Sequence, residues 1–150
     1  MKRLLAPHAG RNVKDIMLLF SRVLVSYLLL ANHGFPKLQR LFSGEPIEFF
    51  TFFGLSPEFV ITLPIFAEFI CALFIILGLF TRFAAIPLMI NMAVIVFYVH
   101  GADPISSKEL PVLFLIFFIF IFFTGAGRFS LDNLLHQRIQ RKKKKVAFTV

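Results

Sequence analysis

The sequence predicts an all-α integral membrane protein, a bundle of four membrane-spanning helices with both termini in the cytoplasm. Three observations support this prediction. The chain of 150 residues is 58% hydrophobic, with 22 phenylalanines and a mean hydropathy of +0.83, which is more apolar material than a soluble domain buries. Four long apolar runs follow one another, and the basic residues gather at the two ends of the chain. We therefore exclude a soluble domain and expect lipid to cover the apolar surface.

Each apolar run predicts one membrane helix, at about residues 16–35, 59–80, 83–99 and 110–124. At about 1.5 Å per residue the second run spans about 33 Å, whereas the third and fourth are short unless their polar flanks lie among the headgroups. The charged start, interrupted by a proline, does not look like a cleaved signal peptide. The predicted organisation is a basic segment over residues 1–15, a membrane domain over 16–132 and a basic amphipathic tail over 133–150.

The positions of lysine and arginine predict the orientation. Sixteen Lys and Arg oppose eight Asp and Glu, and most of the excess lies near the two ends of the chain. An even number of crossings puts both ends on one side, and positively charged flanks favour the cytoplasm. Such clusters report orientation more often than nucleic-acid binding. We expect a multi-pass protein of the inner cell membrane that contacts the lipid bilayer and has no nucleic-acid partner.

The connections between the runs predict how the helices pack. The stretch GLFTRF, residues 78–83, is so short that the second and third helices must be antiparallel neighbours. The first outer loop, SGEPIEFFTFFGLSPEF, mixes phenylalanines and carboxylates and suits a short helix in the membrane interface. Its last part predicts the start of the second helix, with Ser56 as N-cap, Pro57 at the first helical position and Glu58 in the first turn.

Ionisable residues within or beside the apolar runs mark the candidate site, because charges are costly inside a membrane. Glu68 lies about 16 Å along the second helix, close to the bilayer centre, where it is either protonated or paired with a cation. Its alternative role is a structural hydrogen bond within the bundle. His33 and Lys37 lie at the outer end of the first helix, and Lys37 either faces inwards or extends to the headgroups. With His100 and Glu109 they predict an outer ligand-binding pocket.

The candidates for catalysis are His33, Lys37 and Glu68, and other chemistries have weaker support. Asn91, in the middle of the third helix, suits a hydrogen bond between helices better than a ligand contact. The histidines show no His-x-x-His or Glu-x-x-His spacing, so we predict no metal site. The only cysteine, Cys71, excludes a thiol relay within this chain. A redox reaction would need an external electron carrier, and no covalent cofactor is expected.

A second group of charges is predicted at the cytoplasmic ends of the helices, where we expect a structural role. This charged rim consists of Arg22, Arg82, Arg128 and Asp132. Two glycines in FFTGAGRFSLD, residues 122–132, let the chain leave the fourth helix, and Ser130 can cap the next one. That next segment has leucines and an isoleucine on one side and cations on the other, which favours a helix lying on the inner leaflet.

The order of five motifs resembles that of the DoxX family of membrane proteins. The motifs are HGFPK at 33–37, AEF at 67–69, GLFTRFAA at 78–85, KEL at 108–110 and GAGRFSLD at 125–132. The resemblance covers about residues 16–132 and implies a four-helix protein related to the small subunit of thiosulfate:quinone oxidoreductase. It implies a subunit or accessory of a quinone-linked membrane oxidoreductase system, with quinone as a non-covalent cofactor and a soluble or membrane redox protein as partner. Phe129 replaces a tyrosine that is frequent in the family.

The residues alone leave other functions open. One alternative is a non-enzymatic membrane component that binds a lipid, a lipophilic small molecule or another membrane protein in the same cavity. A proton-coupled transporter is a third alternative, although four short helices leave little room for alternating access. Catalysis by this chain alone is not expected. An oligomer is compatible with the sequence, and neither the substrate nor the electron donor follows from it.

Overall fold

The computed structural model describes residues 10–44, 46–47 and 54–147. The described residues contain helices and no β-strand, which confirms the all-α prediction. The helices are α1 (Arg11–Leu29), α2 (Phe35–Phe42), α3 (Pro57–Ile65), α4 (Ala72–Leu77), α5 (Thr81–Val94), α6 (Ile105–Thr124) and α7 (Leu131–Ala147). Three π-helical segments extend or join them, namely Leu30–Gly34, Phe66–Cys71 and Ile95–Val99.

The π-helical segments make several of these elements continuous. The first long helix is α1 with α2, the second is α3 with α4, the third is α5 with its π-helical end, and the fourth is α6. Within the described residues three segments are long and apolar enough to cross a membrane, Pro57–Leu77, Thr81–Val99 and Ile105–Thr124. The first long helix carries more charged residues, and its crossing of the membrane stays a prediction.

The outward faces of the long helices are strongly apolar. Large side chains such as Phe83, Phe97 and Phe123 are 75%, 76% and 72% exposed, and many leucines and isoleucines are exposed beside them. Soluble proteins rarely leave contiguous apolar surface of this extent uncovered. The exterior of the described chain is therefore suited to contact with hydrocarbon.

Four long helices contribute to one hydrophobic core. The first packs against the second, the second against the third, and the third against the fourth. Small residues such as Ala67, Ala84 and Ala85 are buried between them and allow the helix backbones to approach closely. Phe118, also buried, fills the core from the fourth helix. The long helices therefore pack closely, with little space between their backbones.

The second and third long helices are close at one end and separate at the other. They are joined through Gly78, which ends α4 with a φ of +66°, a conformation that glycine adopts without strain. Near this turn α4 and the π-helical segment Phe66–Cys71 pack against α5, whereas α3 has no comparable contact with the third helix. We call the end with the Gly78 turn the closed end and the opposite one the open end. The predicted antiparallel pairing of the two helices is confirmed.

The ends of two predicted helices are confirmed as well. Ser56 is the N-cap of α3, its Oγ accepting a hydrogen bond from the Phe59 N–H at 3.4 Å, and Pro57 is the first helical residue. Ser130 Oγ accepts from the N–H of Asn133 at 3.2 Å at the start of α7. The predicted interfacial helix of the first outer loop falls largely on residues 45 and 48–53, which lie outside the described residues.

Candidate functional site

A cavity of about 670 Å³ lies at the open end, where the second and third long helices separate. All four long helices contribute to its walls, which are mostly apolar. The polar residues among its described lining are His33, Lys37, Glu68, Asn91, His100 and Ser107. A volume of this size is typical of sites for small organic molecules.

Glu68 forms the floor of the cavity, where it is a buried acidic residue. Only 1% of its surface is exposed. Lys37 Nζ donates to Oε2 of the carboxylate in an ion pair, and Asn91 Nδ2 donates to Oε1 at 2.9 Å. Three long helices therefore meet at one carboxylate. Of the two predicted states the carboxylate is paired with a cation, and the alternative in which Lys37 extends to the headgroups is wrong.

The two histidines take different positions around the cavity. His33 lies on the π-helical segment of the first long helix, with its ring edge-on to Phe114 at a centroid distance of 6.1 Å. His100 lies at the end of the third helix, and its Nδ1 is 2.7 Å from Asp103 Oδ2. In the described residues at the start of α6 the cavity is lined by Ser107, Leu110 and Pro111, but not by Glu109. The structure thus brings four of the five predicted ligand-binding residues to one cavity and leaves Glu109 outside.

Gly34 sets the distance between the first and second long helices at this level. A Cβ atom at this position would lie 2.6 Å from the backbone oxygen of Glu68, well inside van der Waals contact. The absence of a side chain lets the two backbones touch, as small residues do in membrane helices. Because Gly34 is three residues before Lys37, this contact brings the ammonium group within reach of the carboxylate.

Irregular backbone is concentrated around the cavity. Pro64, Pro87 and Pro111 lie inside the second, third and fourth long helices, and each lines the cavity. Proline has no N–H to donate to the carbonyl four residues earlier, and two of those carbonyls belong to Val60 and Ser107, which also line the cavity. Residues of all three π-helical segments are part of the lining, and π-helical turns occur frequently at functional sites.

The charged rim lies at the closed end, where Arg22 is 2% exposed. Its Nη1 donates to the carbonyl of Ile75 at 3.3 Å and its Nη2 to that of Phe129. A Cβ atom at Gly78 would lie 1.8 Å from Nη1. Arg22 thus joins the first and second long helices to the segment that follows the fourth, in space that only a glycine leaves free.

Asp132 binds backbone rather than arginine side chains. Its Oδ1 accepts from the Phe80 N–H at 2.7 Å and its Oδ2 from the Thr81 N–H at 3.0 Å, which caps the start of α5. Its own N–H donates to the Gly78 carbonyl at 2.8 Å.

Of the other two rim arginines, one binds a backbone carbonyl through its side chain and the other binds a carboxylate through its own backbone N–H. Arg82 Nη2 donates to the Phe123 carbonyl at 3.2 Å, and the N–H of Arg128 donates to Asp15 Oδ1 at 3.2 Å. These hydrogen bonds join the rim residues to other groups of the protein at the closed end, as a structural role requires.

Asn91 was predicted to form a hydrogen bond between helices, and its bond to Glu68 of the second long helix confirms this. Its place beside the site carboxylate was not predicted, although a polar residue in the middle of an apolar helix was an available signal. The prolines of the cavity wall were also missed, since a proline by itself does not identify a binding site. No group of three or more His, Cys, Asp or Glu side chains that could hold a metal ion occurs in the described part of the chain.

Long apolar helices, an apolar exterior and a buried charged cluster beside a cavity define this chain as an α-helical membrane protein. It belongs to the DoxX family, whose sequence model matches residues 17–101. An uncharacterized protein from Haemophilus influenzae is 33% identical over 127 residues, covering 80% of this chain and 91% of that protein. An uncharacterized membrane protein from Mycobacterium tuberculosis is 31% identical over 85 residues, which is 47% of this chain and 52% of the relative. No solved structure matches the chain.

Proposed function

We propose that this DoxX-family protein is a subunit or accessory of a quinone-linked oxidoreductase system in the inner cell membrane. In this proposal it crosses the membrane four times and keeps both termini, with the closed end, on the cytoplasmic side. The observation that carries the proposal is the cavity of about 670 Å³ with apolar walls and a buried Glu68–Lys37–Asn91 cluster at its floor.

The lining residues fit a quinone in both of its oxidation states. The carbonyl oxygens of a quinone accept hydrogen bonds, and the ammonium of Lys37 and the ring of His33 can donate them. The hydroxyls of the reduced form need acceptors, which the Glu68 carboxylate and the carbonyls of Val60 and Ser107 can supply. When bound, a quinone supplies two-electron, two-proton redox chemistry. The apolar walls suit its ring and the first part of its chain.

The polar cluster can hold and exchange a proton beside such a head group. In the structure Lys37 and Asn91 occupy both oxygens of Glu68. If Lys37 turns to a ligand carbonyl, one oxygen of Glu68 becomes free to accept a hydrogen bond or a proton from the ligand. We assign proton exchange to Glu68 and ligand orientation to Lys37 and His33.

Electrons must come from a partner in this proposal. Cys71 is a buried free thiol without a second cysteine in the sequence, so the chain cannot carry out dithiol chemistry by itself. A soluble or membrane redox protein is the proposed donor. This makes the chain a quinone-binding component and not a complete enzyme.

The test is quinone retention by purified protein. The wild-type protein, extracted in mild detergent, is expected to carry quinone that solvent extraction and chromatography detect. Glu68→Gln removes the charge with little change of shape and should abolish retention. Glu109→Gln is the matched control, because it neutralises a carboxylate near the same end that does not line the cavity. Quinone-free wild-type protein, or retention unchanged in Glu68→Gln, would contradict the proposal.

A second candidate function is lipid binding without redox chemistry. The observation that favours it is the complete pairing of Glu68, whose two oxygens both have protein donors, as expected for a structural cluster. This alternative predicts that purified protein retains phospholipid or another lipophilic molecule in place of quinone. Mass spectrometry of the same solvent extract distinguishes the two functions.

A further inference from the structure

The mouth of the cavity lies on the side of the protein, between two long helices. Leu63 and Phe66 of the second helix and Ile90 of the third line the cavity. These side chains are also 56%, 53% and 59% exposed at the apolar exterior. A side chain that is both cavity lining and exterior surface marks an opening. The cavity also reaches the open end of the bundle, where the lining residues Leu55, Val99, Ser107 and Leu110 are exposed. The three residues at the side are all apolar.

The position of this opening along the helices places it in the hydrocarbon region. Phe66 lies near the middle of the span Pro57–Leu77, and Ile90 near the middle of Thr81–Val99. Phe66 is two residues from Glu68, and Ile90 is next to Asn91. At about 1.5 Å of rise per residue the mouth and the polar cluster are therefore at nearly the same depth.

The packing of the helices explains why the side is open. The second and third long helices are held together near the Gly78 turn, whereas α3 makes no comparable contact with the third helix further along. Pro64 and Pro87 lie on the two facing walls of the resulting gap. At mid-membrane depth such a gap faces the hydrocarbon chains of the lipids.

We propose that the ligand enters this cavity sideways, from the bilayer core, through the gap between Phe66 and Ile90. The geometry selects a single-chain amphiphile: its small polar head reaches Lys37, Glu68 and Asn91, and its isoprenoid or acyl chain stays between the two helices and in the lipid. The identity of the head group as a quinone rests on the proposed function, whereas the lateral mouth does not.

A tryptophan probe tests the lateral mouth without any assumption about the ligand. The chain contains no tryptophan, so Phe114→Trp places a single fluorophore in the back wall of the cavity. Phe118→Trp is the matched control, because Phe118 is one turn away on the same helix, stacks on Phe114 and is buried outside the cavity lining. Each variant is reconstituted in phosphatidylcholine vesicles with brominated acyl chains, which quench tryptophan on contact.

The lateral mouth predicts strong quenching by brominated lipid in Phe114→Trp and little in Phe118→Trp. Emission from Phe114→Trp that is quenched by aqueous iodide and not by brominated lipid would overturn it, since the cavity would then open to water. Equal quenching in the two variants, or none in either, would also overturn it. Circular dichroism and thermal melting of both variants establish that they are folded.

If either tryptophan in the core prevents folding, a second pair of variants tests the lateral mouth. Ile90→Trp enlarges an exposed residue at the mouth, and Ile86→Trp enlarges an exposed residue one turn away that does not line the cavity. We expect Ile90→Trp to slow uptake of a decyl-chain quinone from vesicles by about tenfold and to leave uptake of a chain-free quinone from water unchanged. Equal uptake rates in Ile90→Trp and Ile86→Trp would contradict the lateral route.

These experiments separate the two proposals. Quenching of Phe114→Trp by brominated lipid in a protein that retains no quinone would reject the proposed function and support the lateral mouth. Quinone retention that depends on Glu68, with no quenching by brominated lipid, would reject the lateral mouth and support the proposed function.

Discussion

The closed and open ends of the molecule use polar residues in opposite ways. At the closed end Arg22 and Asp132 bind backbone carbonyls and N–H groups. At the open end Lys37, Glu68 and Asn91 bind one another beside a cavity of about 670 Å³. Charges are costly in a membrane. The open-end group lines the cavity of about 670 Å³ with apolar walls, whereas the closed end has a smaller cavity of about 400 Å³ beside Arg82 and Asp132.

This difference shows how one small bundle can have a rigid end and an end that is able to bind a ligand. Backbone partners have less freedom to move than side chains, which favours a fixed arrangement at the closed end. Side-chain partners can exchange with a ligand, because rotation of Lys37 or Asn91 leaves the helices intact. Prolines and π-helical segments are likewise part of the cavity lining. Variants at the two ends should therefore affect stability and binding in different proportions.

The largest expected effect is the destabilisation of the closed end by Gly78→Ala. Alanine at φ +66° carries strain, and its Cβ would lie 1.8 Å from Arg22 Nη1, displacing a buried guanidinium from its carbonyls. We expect the free energy of unfolding to fall by about 4 kcal/mol. Thermal unfolding in detergent measures it. Gly44→Ala, at φ +74° with no atom within 4 Å of the new Cβ, is the control and should lose only about 1 kcal/mol; equal losses would disprove the role of Arg22.

At the open end, Lys37→Met leaves Glu68 buried without its cation. We expect a loss of about 3 kcal/mol in the free energy of unfolding, because an uncompensated buried charge is costly. The double variant Lys37→Met with Glu68→Gln should recover most of that loss, since both charges are then absent. A double-mutant cycle from thermal melts checks this. If the two single losses simply add, the ion pair does not stabilise the open end.

Gly34→Ala tests the close approach of the first and second long helices. In an isolated helix alanine is more stable than glycine by about 1 kcal/mol. Here its Cβ would lie 2.6 Å from the Glu68 backbone oxygen, so we expect a net loss of about 2 kcal/mol and weaker ligand retention. Gly10→Ala, with nothing within 4 Å, introduces no clash and should lose no more than about 1 kcal/mol, because Gly10 is the N-cap of α1. A gain in stability for Gly34→Ala would rule out the backbone contact.

The smallest of these effects is expected for Asp132→Ala. The variant removes the cap of α5 while leaving the hydrogen bond of the residue 132 N–H in place, so we expect a loss of about 1 kcal/mol and no change in quinone retention. Thermal melting and ligand extraction measure the two quantities. Glu109→Ala is the control, with an expected change below about 0.5 kcal/mol. Loss of ligand in Asp132→Ala would show that the two ends are coupled.

Much of the helical scaffold could be predicted because its determinants are local. Apolar runs predicted the long helices, and the Ser56–Pro57–Glu58 sequence predicted the start of α3 from capping chemistry alone. Glu68 was identifiable as a candidate because a carboxylate in an apolar run needs a partner or a proton. These inferences need no knowledge of how one helix is rotated against another.

The partners within the site could not be predicted for the same reason. Whether Lys37 faces Glu68 or the headgroups depends on the rotation of the first long helix after the π-helical segment Leu30–Gly34, and such segments take up an extra residue without a recognisable sequence signal. The contact of Asn91 with Glu68 depends on the angle between two helices. Glu109 shares its end of the molecule with the site but lies on another face of its helix.

The joining of the second and third long helices at Gly78 also has a mechanical consequence. Each helix extends about 30 Å from that turn, so it acts as a lever whose pivot is fixed by Arg22 and Asp132. A rotation of about 5° at the pivot moves the far end of a helix by about 3 Å. If the proposed ligand binds, a change of this angle would adjust the gap to head groups of different width, and the Asn91–Glu68 bond between the two helices would have to adapt with it.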